Sequence, residues 1–178
     1  MAESGITVEK LLVIEYERLK EEQKSRIGFR DNLLYVTLAA VLTLLIGSAQ
    51  TRQPALLLAL PVTTTVLGWT YLMNDQMISS IGRYVRTDLG PRLGALAGES
   101  GCPFGWEAAH RSDGARQWRK RMQCAVDLLA FAVVPIAALV TFWTRGGGNG
   151  LTLAGSLLEA LAVLVLAVQI VRYLDTSG

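Results

Sequence analysis

The run LTLAGSLLEALAVLVLAVQIV, residues 151–171, is without charge apart from one carboxylic acid, Glu159. At about 1.5 Å per residue a helix of roughly 20 residues is about 30 Å long, which matches the hydrocarbon core of a bilayer. Read as a transmembrane helix, this run needs partners of the same kind. Three more stretches without charge supply them: 33–49, 54–74 and 128–144. The expected fold is all-α, a polytopic membrane protein with four transmembrane helices in two hairpins and cytosolic helical extensions. The composition agrees, with 51% hydrophobic residues and a mean hydropathy of +0.35. The spans leave about half of the chain in water, which keeps that average moderate.

Basic residues orient the spans. Segment 1–32 carries Lys10, Arg18, Lys20, Lys24, Arg26 and Arg30, and segment 75–127 carries eight more. The short connections AQTRQP and RGGGNG hold one each, Arg52 and Arg145. Positive charge gathers on the cytosolic side, so both termini and segment 75–127 are expected there. The resulting organisation is a cytosolic N-terminal helix (1–32), a first hairpin (33–74), and a stalk helix with loop and basic segment (75–127). A second hairpin (128–173) and a short tail (174–178) complete it. No cleavage-site pattern precedes the first span, so no leader is expected to be removed. Tyr35, Tyr173 and Trp143 fit interfacial anchors, whereas Trp69 and Tyr71 fit either an interface or the bundle interior.

In the N-terminal segment Thr7 is placed as an N-cap, and Leu12, Tyr16, Leu19 and Ile27 form an apolar stripe. Glu17 with Lys20, Glu21 with Lys24 and Glu22 with Arg26 stand at pairing distance along a helix. The stripe passes through Gln23 and keeps no strict heptad, which argues against a long coiled coil. The second span is expected to continue as a stalk with Ile78, Ile81, Val85 and Leu89 on one face, ending at Gly90-Pro91. The N-terminal helix or a second subunit should cover that face. Residues 93–113 read as a loop, with Phe104 and Trp106 docked on the stalk or the headgroup layer.

Four bases, Arg116, Arg119, Lys120 and Arg121, surround Trp118 just before the third span. Such a composition suits membrane entry, with the basic groups reaching for lipid phosphates. The central segment sets eight bases against six acids; this is too dilute a footprint for nucleic acid, and none is expected as a partner. Cys102, Cys124 and His110 fall short of a zinc ligand set, so no metal and no cofactor are expected, and the cysteines read as cytosolic thiols. Neither a nucleophile elbow nor a phosphate-binding loop is present, which places an enzyme last among the readings.

Inside the spans, Pro61 and Pro135 are expected to kink their helices. Thr63, Thr64 and Thr65 can satisfy freed carbonyls or bond to another helix, and Ala39, Thr43 and Gly47 offer a small face for close helix contact. Glu159 lies about 12 Å below the outer boundary, counted at 1.5 Å per residue from Leu151. A charge facing lipid at that depth costs a few kcal/mol, so the acid should face the bundle or a subunit interface. There it can donate a hydrogen bond to Thr63, Thr64 or Thr65 or to its own symmetry copy. Otherwise it can serve as a proton or cation site or as one member of a ring lining a pore. Asp31, Asp75 and Asp127, at the inner ends of spans, are expected to be solvated.

FRDNLLY (29–35), GWTYLMNDQMISSIGRYVR (68–86) and VDLLAF (126–131) together resemble a group of uncharacterised small four-span bacterial integral membrane proteins. The layout also looks like that of predicted membrane effectors of nucleotide-signalled antiphage systems, which implies a pore-forming role. The chain is therefore expected in a bacterial inner membrane, to bind membrane lipid and to form a homo-oligomeric pore or channel-like effector gated through its cytosolic helices, with a cytosolic protein partner. The alternatives are a non-conducting anchor or scaffold and a small proton-coupled transporter.

Overall fold

The structure is a computed structural model; it describes residues 7–98, 103–105, 115–145 and 149–176. Every regular element among these residues is helical. Helix α1 spans Val8–Thr51. A 3-10 turn, Pro54–Leu58, leads into α2, Ala59–Tyr84. A π-helical turn, Val85–Leu89, separates α2 from α3, Gly90–Leu96. Helix α4, Arg116–Leu128, passes through a second π turn, Leu129–Val133, into α5, Val134–Thr144. Helix α6, Gly150–Thr176, completes the order. Four helical stretches are long and apolar enough to cross a membrane: Val8–Thr51, Pro54–Leu96, Gln117–Thr144 and Gly150–Tyr173.

The chain divides into two compact units, one formed by Met1–Phe29 with Asn74–Arg116 and the other by Arg30–Met73 with Gln117–Gly178. In the first unit Thr7 caps α1, its carbonyl accepting from Leu11 N at 3.1 Å and its hydroxyl from Lys10 N at 3.3 Å. Leu12 of α1 packs against Ile81, Val85 and Leu89, with Tyr16, Leu19, Tyr84, Leu93 and Phe104 around them. The stalk face is thus covered by the N-terminal helix of the same chain. Phe104 stacks on Tyr16 with ring centroids 4.5 Å apart; Trp106 lies outside the described residues. Ile27, expected on the stripe, is exposed.

Polar contacts set the register of this helix pair. The Tyr84 hydroxyl donates to Glu15 at 2.8 Å, Gln23 Nε2 donates to the Ile78 carbonyl at 3.2 Å, and Asn74 Nδ2 donates to the Arg26 carbonyl at 2.6 Å. As the number on α1 rises, its partner's number on α2 falls almost one for one, as two antiparallel helices require. The covered or half-covered positions Leu12, Tyr16, Leu19, Gln23 and Arg26 follow alternating steps of four and three. This corrects the expectation that no heptad is kept: the spacing holds, but Gln23 and Arg26 occupy it with polar groups, which hides it from a hydrophobic pattern. Of the expected ion pairs, Glu22 with Arg26 forms at 2.7 Å. Glu21 pairs with Arg18 at 3.0 Å, and the Lys20 ammonium approaches Gln23 Oε1 at 3.4 Å and the Tyr16 ring at 5.7 Å.

Helix α2 does not stop at Gly90-Pro91. Proline lacks the N–H that an α-helix needs at that point. The π turn before it moves the hydrogen bonding by one residue, so that Gly90 N–H reaches Val85 O and Pro91 enters the first turn of α3. The helix ends at Leu96, and Gly98 takes the left-handed backbone, φ 77, that glycine adopts without strain.

In the second unit all four helical stretches share one core: Leu33 of α1, Tyr71 and Leu72 of α2, Ala130 and Phe131 of the second π turn, and Leu166 and Ile170 of α6. A second cluster joins Val41, Leu57, Leu60 and Ala138. Gly68 makes the close approach possible. A Cβ built on it would lie 2.7 Å from Leu166 Cδ2 and 2.8 Å from Phe131 Cδ1. Outside this core the surface is apolar too: Leu157, Leu158, Leu161, Leu164, Val165 and Val168 of α6 are all exposed. A helix that exposes such a row of leucines and valines while burying only one narrow stripe suits a surrounding that is itself apolar.

Candidate functional site: the buried acid and its surroundings

Helix α6 begins with Asn149 as its cap, whose Oδ1 accepts from Thr152 N at 2.9 Å. Its inward stripe then carries Ser156, Glu159, Val163, Leu166 and Ile170 at steps of three and four. One turn before the acid, Ser156 is fully enclosed; its hydroxyl donates to Leu153 O at 2.8 Å and accepts from Trp143 Nε1 at 2.9 Å. Trp143 thereby ties α5 to α6.

Glu159 is half-buried, and its Oε2 is enclosed without a hydrogen-bond partner. The threonines expected to receive it behave differently from one another. Thr63 Oγ1 donates back to Ala59 O at 2.7 Å and Thr64 Oγ1 to Leu60 O at 2.8 Å. Hydroxyls in apolar helices commonly satisfy themselves in this way, on the carbonyl one turn earlier. Thr37, Thr43, Thr70 and Thr141 do the same. Thr65 does not: its Oγ1 is enclosed and has no partner. Glu159 Oε2 and Thr65 Oγ1 are the enclosed side-chain atoms without a partner among the described residues, and neither serves the other. Leaving such a group unsatisfied costs about 1–3 kcal/mol, so each retains an open hydrogen-bonding valence.

Both prolines are fully enclosed. Pro61 falls in the first turn of α2, just after the 3-10 turn, and Pro135 in the first turn of α5, just after the second π turn. There Val134 N–H reaches Leu129 O, repeating the arrangement before Pro91.

A second polar group went unrecognised in the sequence. Gln123 Nε2 of α4 donates to the Tyr71 hydroxyl of α2 at 2.8 Å and to Asp127 Oδ1 at 2.9 Å. Asp127 is buried, 8% exposed, which corrects the expectation that it is solvated. The i, i+4 spacing of Gln123 and Asp127 was visible in the sequence; the direction of that face was not. Asp31 is half exposed and pairs with Arg30 at 3.1 Å. Tyr71 is buried, whereas Trp69 and Tyr35 are exposed. Arg119 and Arg121 are exposed on α4, Lys120 is half-buried, and Arg116 opens the helix. Cys124 is a half-buried thiol against the core; Cys102 and His110 lie outside the described residues.

These features define a class: an all-helical chain with four apolar helices, compatible with a membrane protein, whose apolar unit encloses one carboxyl and one threonine hydroxyl with valences to spare. Beyond the class, no family model matches the chain, and neither does any curated protein or solved structure.

Proposed function

We propose that the chain is a multi-pass protein of a bacterial cell membrane, with two transmembrane hairpins and with both termini and segment 75–127 on the cytosolic side. In this reading it assembles with copies of itself into a pore or channel-like effector, and the helix pair of the first unit gates it. The observation that carries the proposal is the enclosed Glu159 Oε2 with no partner, on a helix that holds no other charge between Gly150 and Val171. A carboxyl at such depth is expensive unless it serves a proton, a cation or a neighbouring subunit. The orphaned Thr65 hydroxyl adds a second polar atom of the kind that lines an ion path. The exposed small residues Ala39 and Thr43 give copies of the chain a face for close helix contact.

Ion and proton flux in proteoliposomes tests this, comparing wild type with Glu159→Gln and Glu159→Leu after checking that all three reach the same detergent-corrected mass. Flux that falls tenfold or changes selectivity only in the variants supports the proposal. Flux identical in all three removes Glu159 from the path. A silent wild type with a poorly assembling Glu159→Leu makes the acid structural and the chain a scaffold.

A further inference from the structure

Helix α4 has two faces of opposite character. Gln123, Cys124 and Asp127 turn toward the protein, bonding to Tyr71 or packing on the core. On the other side Trp118, Met122 and Val126 form an apolar row at steps of four, 64%, 46% and 43% exposed. The row does not end with α4, because Leu129 and Val133 of the π turn and Val140 of α5 extend it along the exposed surface of the same helical stretch.

Arg119 and Arg121 are exposed beside this row. At 3.6 residues per turn each residue advances about 100°, so Arg119 projects from one edge of the Trp118–Met122–Val126 row and Arg121 from the other. An apolar row bounded by guanidinium groups is poorly matched to water and to a protein core. It suits the boundary between acyl chains and headgroups, where the row enters the apolar layer and the basic stems extend toward phosphate.

Depth agrees with this placement. A span of about 20 residues ending at Thr144 starts near Ala125, which leaves Arg121 about 6 Å and Arg119 about 9 Å outside the hydrocarbon at 1.5 Å per residue. That is the depth of the headgroups. The planar guanidinium fork matches two phosphate oxygens at once.

We infer that the outward face of α4 is a docking surface for anionic lipid headgroups, with Arg119 and Arg121 holding phosphate on either side of the Trp118–Met122–Val126 row. The occupant follows from the positive charge at the row's edges and from the row's continuity with the apolar surface of the span. The inference uses the membrane placement proposed above but is independent of conduction.

The test is electron spin resonance of the purified full chain in phosphatidylcholine vesicles carrying a trace of spin-labelled phosphatidylglycerol or spin-labelled phosphatidylcholine. Expected is a severalfold preference for the anionic lipid at the protein surface, weakened by salt, reduced when either arginine is changed to Gln and abolished when both are. Arg119→Lys with Arg121→Lys retains part of it, and Arg18→Gln on α1 leaves it intact. A wild type without preference overturns the inference. So does a preference that survives Arg119→Gln with Arg121→Gln while both variants keep the wild-type helix content. Loss on adding millimolar inorganic phosphate would assign the arginines to a soluble anion instead. Retention of partitioning to the membrane with no lipid selectivity in any variant would reduce α4 to a passive entry helix.

Discussion

The two compact units use opposite means to fix one helix against another. In the first unit an apolar cluster around Val85 and Leu89 is flanked by contacts to Glu15, Gln23 and Arg26 that assign each turn of α1 its turn of α2. In the second, the register comes from shape: Gly68 opens a gap that Phe131 and Leu166 fill, and threonine hydroxyls turn back onto their own helices. On the proposed placement of the first unit in water and the second in lipid, the surrounding medium decides what can specify a contact. In water, burial drives association and polar groups choose the register; in lipid, burial gains little, so close fit must do both.

The largest expected effect tests that contrast directly. Leu89 and Leu139 are both fully enclosed, one in each unit. Leu89→Ala should cost about 2–5 kcal/mol, the transfer and cavity terms together. On the proposed membrane placement Leu139→Ala should cost clearly less, because the unfolded helices would remain in lipid and only the packing term would be lost. Hydrogen exchange in detergent, read separately for each unit, measures both, and equal losses would break the comparison.

Next come two glycines. Gly68→Ala should destabilise the second unit by about 1–3 kcal/mol, as overpacking against enclosed side chains does. Gly82→Ala should be neutral or stabilise by up to about 1 kcal/mol, since its Cβ would meet only Gln23 Nε2 at 3.4 Å and alanine is the better helix former. The detergent unfolding curve of Gly68→Ala should therefore shift toward lower stability, and that of Gly82→Ala should stay in place or shift the other way.

The smallest effect concerns pH. The bond from Tyr84 to Glu15, with burial and the carboxylate's charge acting in the same sense, holds the Tyr84 hydroxyl above its ordinary value of 10.0. The folded protein thus favours the neutral phenol. The contribution is fully present below the unfolded value and is lost as pH rises through the folded one. Tyr84→Phe should flatten the alkaline limb of the first unit's stability curve while leaving the second unit's unchanged.

Much of this fold was legible because helices long and apolar enough to cross a membrane are written in composition. The facing stripes Leu12–Tyr16–Leu19 and Ile81–Val85–Leu89 were legible from spacing, whereas the choice between the N-terminal helix and a second subunit as the cover of the stalk came from the structure. The remainder depended on direction. Gln23 looked like an interruption of a stripe, when its amide is in fact spent on a carbonyl of the opposite helix. Gly90-Pro91 looked like a stop, because a π turn leaves no signature in residue types. At the candidate site the sequence singled out Glu159 by its chemistry, but it treated Thr63, Thr64 and Thr65 as equivalent. Only the backbone geometry separates the two hydroxyls that satisfy themselves from the one that does not.

The repeated arrangement of a five-residue π turn, one residue and a proline has a consequence for how the chain tolerates change in length. A π turn holds one residue more than the α-helix that would replace it. Deleting a residue from Val85–Leu89 or Leu129–Val133 would therefore leave everything beyond it facing almost as before, because roughly four α residues turn as far as roughly five π residues. For Leu129–Val133 the Trp118–Met122–Val126 row would keep its line with Val140. At these two places a single-codon deletion spares the facing and falls instead on the proline that follows, whose ring then meets the carbonyl four residues earlier, so each π turn makes room for its proline.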